Sequence, residues 1–140
     1  MNWLRKLFGG SKSADSMPPR YNCLAYLASL DMQRRYIVHA TRDEYLLPEE
    51  LLSDACAVVR QVRTRPQDRA VVSARAAKAI FALEPLVDAV VLPPDRDGLQ
   101  HLVERDPAWR ALREQAARCL DILGFDLAEW ERAEISRHVA

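Results

Sequence analysis

The chain has 140 residues, 20 Lys+Arg against 20 Asp+Glu, and 49% hydrophobic side chains. That length favours one domain, able to bury about two-thirds of the surface its unfolded form exposes, and the composition excludes a wholly disordered chain. Balanced charge excludes a global field drawing the protein to nucleic acid or anionic lipid. Arg supplies 17 of the cations and Lys 3, a bias that fits a GC-rich coding sequence and carries no functional weight.

The chain opens on an amphipathic tip, Trp3-Leu4-Arg5-Lys6-Leu7-Phe8. Residues 9–20, GGSKSADSMPPR, are rich in Gly, Ser and Pro and read as a flexible linker. The expected organisation is a flexible tail over 1–20 and a single helical domain over 21–140. Trp3, Leu4, Leu7 and Phe8 suit a weak membrane contact or docking on protein, because two helical turns are too short to anchor alone. No apolar run reaches the ~20 residues that span a bilayer, and the tip lacks the apolar stretch of a signal peptide. The expectation is a cytoplasmic protein.

Tyr21 to about Arg35 places Leu24, Leu27, Ala28 and Met32 on one helical face, and Tyr36-Ile37-Val38 is read as the end of that helix rather than a strand. Thr41 and Glu44 have capping-box spacing ahead of Tyr45-Leu46-Leu47. Pro48 fits the first turn of a longer helix, with Glu49 and Glu50 at its positive end. Leu51, Leu52, Ala55, Cys56, Val58, Val59 and Val62 form its apolar stripe. From about Asp68 to Leu83 only Arg75 and Lys78 interrupt the apolar residues, which predicts a central helix buried nearly all round. Pro85 restarts a short helix over 86–92, and residues 93–98 form a polar turn.

Asp106-Pro107 gives a cap followed by proline at the first helical position. Trp109, Leu112, Ala116, Cys119, Leu120 and Leu123 recur at helical spacing, and Gly124 supplies a left-handed stop. Asp126 and Glu129 start a last helix, with Phe125 and Trp130 at staple positions, and so short a connection predicts an antiparallel hairpin. The fold class is all-α: a compact single-domain bundle of about five to six helices.

Chemistry-bearing motifs are sparse. Cys23, Cys56 and Cys119 are odd in number and contain no Cys-x-x-Cys, so they are read as small buried hydrophobes in a reducing compartment. His39, His101 and His138 lack the spacing of a metal helix. Asp95-Arg96-Asp97-Gly98 fails the calcium-loop pattern, with Leu99, Gln100 and Asp106 where oxygen ligands, Gly and Glu belong. Neither cofactor nor metal is expected. Residues 60–78 hold Arg60, Arg63, Arg65, Arg69, Arg75 and Lys78 against Asp68 alone. This superficially resembles a helix-turn-helix, but its second helix reads as buried and lacks base-reading Asn, Gln and Ser.

Asp43, Glu44, Glu49, Glu50 and Asp54 put five acids within twelve positions, with Tyr45 among them. This is the expected partner-binding surface, facing a basic protein such as a toxin or effector. The class expected is a non-catalytic bacterial cytosolic interaction protein of immunity, antitoxin or adaptor type. The alternatives are a nucleic-acid-binding regulator using residues 60–78, or a small helical enzyme.

Overall fold

A computed structural model describes residues 23–139, with side-chain surroundings through residue 137. The expectations for the tail over 1–20, and for Trp3, Leu4, Leu7 and Phe8, lie outside the described residues. Every regular element described is a helix and none is a strand, as the periodicity requires. The order is α1 (Cys23–Ala28), α2 (Leu30–Gln33) running into a π turn (Arg34–Val38), α3 (Pro48–Thr64), α4 (Pro66–Ala70), α5 (Ala74–Phe81), α6 (Leu83–Asp88), a 3-10 turn (Arg96–Gly98), α7 (Leu99–Arg105), α8 (Pro107–Ile122) and α9 (Leu127–Val139). The segments are more numerous and shorter than the sequence pattern suggests.

The breaks have local causes. Ser29 takes an extended backbone and caps α2 by accepting from Met32 N, so the expected helix over 21–35 is cut in two. Pro66 restarts the chain as α4, and Ser73 caps α5 through Ala76 N, leaving a loop at 71–73. Pro85 falls inside the first turn of α6, where a missing N–H costs nothing, so this helix begins earlier than expected and ends at Asp88. In the 93–98 turn, a Cβ on Gly98 would fall 2.4 Å from Pro93 Cβ, so the turn closes only around glycine.

These breaks overturn the expected central helix over 68–83. Val71 is 66% exposed, and α5 buries one face through Ala76, Ala77, Ala79 and Ile80 while Arg75 and Lys78 point outward. The element enclosed on all sides is α1, where Leu24, Ala25, Tyr26, Leu27 and Ala28 are all buried. It lies along α8 and against α3, while α5 and α6 close over α3 and α8. Six residues are too few to show helical periodicity, which is why the pattern favoured a longer run.

The C-terminal grammar is realised in detail. Asp106 Oδ1 accepts from Ala108 N at 2.9 Å and Trp109 N at 3.1 Å, and Pro107 begins α8. Gly124 has φ +81°, the left-handed stop. Asp126 accepts from Glu129 N at 3.0 Å. The expected packing of α9 on α8 is present but slight, and side chains tie α9 to α1 as well, the Tyr26 hydroxyl donating to Glu134. Trp130 meets Tyr26 edge to face at 4.8 Å between centroids. Of the cysteines, Cys119 is buried as expected, whereas Cys56 is exposed.

Candidate partner-binding surface

The expected acidic surface begins where the π turn ends. His39 N donates to Arg34 O at 2.9 Å, closing the wide turn. The chain then reverses through residues 41–44. Thr41 N donates to Glu44 O at 2.9 Å, and Glu44 N donates to Thr41 Oγ1 at 3.0 Å. The capping-box spacing therefore builds a braced turn and no helix, because Pro48, the next helical start, lies four residues further on. Leu46 N donates to Tyr36 O at 2.7 Å and ties the segment back to the π turn.

The named residues part company on this frame. Asp43 and Glu44 stand exposed on the turn. Tyr45 is half-buried against the core, and buried Leu46 follows it. Glu49 points outward from the first turn of α3, while Glu50 is half-buried with Oε2 enclosed and unpartnered. Asp54, one turn after Glu50, is half-buried too. Asp43, Glu44 and Glu49 therefore form the outward acidic surface, and Glu50, Asp54 and Tyr45 turn toward the body. Asp43 and Glu49 make no ion pair among the described residues.

Beside the turn lies an open cleft of about 300 Å³ lined by Arg35, Tyr36, His39, Thr41 and Glu44. Burial, with the Glu44 carboxylate adding, raises the Tyr36 phenol above its usual pKa, while a hydrogen bond to Arg35 acts the other way. Sequence reasoning missed this cleft because only the π turn brings Arg35 and Tyr36 beside residues 39–44. A second open cleft, about 450 Å³, sits at the α8–α9 corner among Ala117, Asp121, Gly124, Phe125, Asp126 and Leu127.

The buried polar groups act as cross-links. Gln33 is fully buried; its Nε2 donates to Tyr26 O at 3.0 Å and Leu27 O at 2.7 Å. Its Oε1 accepts from Trp109 Nε1 at 2.9 Å and from Arg113 at 3.4 Å. Glu134, 2% exposed, accepts from the Tyr26 hydroxyl at 2.9 Å and is paired with Arg137 through its other oxygen. Burial and that carboxylate push the Tyr26 phenol far up, so it stays a donor. Ser29 donates to Glu131 nearby. Glu104 is engaged by both arms of Arg34, at 2.7 and 2.8 Å, and that bond holds its carboxyl below the usual range.

The basic stretch is partly spent internally. Arg63 grips Glu84 at 3.0 and 3.2 Å, and Arg65 pairs with buried Asp68 at 3.3 Å. Its two expected helices are three, with a loop between α4 and α5, so no helix-turn-helix forms.

Burial pushes the Cys119 thiol up to about 12, leaving it inert. Burial, then Asp88 and Glu84, raises the Cys56 thiol as well. Among the described residues no three His, Cys, Asp or Glu converge as a metal cage. No described helix is long and apolar enough to cross a membrane.

Comparison with known proteins finds no matching family model, no matching curated protein and no matching solved structure.

Proposed function

We propose that this chain is a non-catalytic cytoplasmic interaction protein, of immunity, antitoxin or adaptor type, whose acidic surface at Asp43, Glu44 and Glu49 receives a basic protein partner. The observation that carries this reading is the braced turn. Three hydrogen bonds between Thr41 and Glu44, and one from Leu46 to Tyr36, hold the turn in place before any partner arrives. Preorganised charge loses little entropy on binding. Elsewhere, Glu84, Glu104, Glu129 and Glu134 are engaged by arginines of the same chain. Asp43 and Glu49 are exposed and make no ion pair among the described residues, so they can steer an encounter and fix its register.

The test begins with a tagged chain used to capture its partner by cross-linking in cells, followed by association kinetics with that partner. The D43K/E44K variant keeps the backbone bonds of the turn, so it stays folded. At about 20 mM salt its association rate falls roughly tenfold or more, and the difference shrinks at 300 mM as screening sets in. An unchanged association rate at low salt overturns the reading.

A further inference from the structure

The exposed cations of α3, α4 and α5 gather on a face that the linear sequence only half shows. Arg60 and Arg63 lie one turn apart at the end of α3, away from its buried stripe. Arg75 and Lys78 lie one turn apart on the side of α5 opposite Ala76, Ala77 and Ile80. Phe81, three residues after Lys78 and half-buried, joins the two groups. The guanidiniums of Arg63, from α3, and Arg69, from α4, each sit 5.3 Å from its ring centroid. Such contacts hold a guanidinium in place while leaving its N–H fork available.

The charge sum on this face is lopsided. Arg63 is committed to Glu84 and Arg65 to Asp68. Arg60, Arg69, Arg75 and Lys78 make no ion pair among the described residues. Glu84 and Asp88 border the face on the α6 side, close enough with Arg60 to act on the Cys56 thiol. The face also lacks the apolar centre of a protein interface: its aromatic ring lies under guanidiniums, and Val71 stands alone as an exposed large apolar side chain near it.

We propose that this face binds the phosphate backbone of nucleic acid without reading sequence. Arg60, Arg69, Arg75 and Lys78 supply the phosphate contacts. Phe81 positions Arg69, and Arg63 spans the ring and Glu84. Phosphate contact is favoured over base readout because α5, ARAAKAIF, presents only the long cations Arg75 and Lys78 outward, and its apolar side is buried.

Fluorescence anisotropy tests it with a labelled 25-base-pair duplex of mixed sequence and the full chain, titrated between 20 and 200 mM NaCl. Four neutralised phosphates give log K against log salt a slope of about −3.6, and the R75A/K78A variant about half that. Both substitutions are at exposed helical positions where alanine is the best helix former, so the variant keeps its melting temperature. The inference is overturned by no binding at 20 mM NaCl, or by an unchanged slope in R75A/K78A. It is equally overturned if polyglutamate displaces the duplex as well as an unlabelled oligonucleotide of equal charge does, since the face would then be a site for acidic protein.

Discussion

Replacing Gln33 by Leu probes the centre of the fold at nearly constant volume. Gln33 has no exposed surface, so the change adds no cavity and exposes nothing. What it removes is bonding. The Trp109 Nε1–H loses its acceptor at 2.9 Å, and the Tyr26 and Leu27 carbonyls, in the last turn of α1, lose their donor at 3.0 and 2.7 Å. An enclosed polar group stripped of its partner costs about 1–3 kcal/mol. Arg113 still has Val103 O at 3.2 Å, and each carbonyl keeps a second lone pair, so the sum is held to about 3–5 kcal/mol. For a body of this size that is a fall in Tm of roughly 10–20 °C. Thermal melts by circular dichroism, with urea titrations at 25 °C, measure it. Trp109→Phe removes the same donor together with part of a fully buried ring and costs about 2–4 kcal/mol, and the double variant shows a coupling of about 1 kcal/mol because the two groups share one bond. A Gln33→Leu protein within 1 kcal/mol of the parent would refute the claim that this side chain clamps α1, α2 and α8 together.

Two further outcomes follow from burial and charge. Trp109→Ala lowers stability by about 3–5 kcal/mol, whereas Phe81→Ala, at a half-buried ring, lowers it by less than about 2 kcal/mol; equal losses in urea titrations would contradict the observed placement. Hydrogen bonds from Arg63 and Arg34 hold the Glu84 and Glu104 carboxyls below their usual value of 4.5. Their contribution is therefore complete above that value and lost as pH falls through the lower folded one. Melts between pH 3 and pH 7 show a decline confined to the acidic side, shallower in Glu84→Gln/Glu104→Gln and in 0.5 M salt; an identical acid profile for parent and variant would rule the pairs out.

Local grammar carried much of this fold on its own. The Asp106 cap, Pro107, the Gly124 stop and the Pro48 start each act within one or two turns of chain, so their residue types suffice to place α3 and α8. The stripe Leu51, Ala55, Val58, Val59 and Val62 is buried as its spacing demands, because a long helix repeats its face often enough to be read. An all-α architecture was legible for the same reason.

Tertiary structure decided what depends on partners far along the chain. Ser29 looks like an interior helical residue until Glu131 receives its hydroxyl, and Gln33 looks like a surface residue until Trp109 and Arg113 reach it. Cys56 fits the apolar stripe of α3 by spacing, yet it is exposed. The acids at 43–54 are one cluster in sequence and two groups in space, because Asp43, Glu44 and Glu49 stand exposed while Glu50 and Asp54 lie half-buried on the inner side of α3. Phe81 and the arginines around it meet only once three separate helices have packed. Periodicity reports which face of an element is apolar; it holds no information about which other element will cover that face, and that choice set both the core and the surfaces left open for binding.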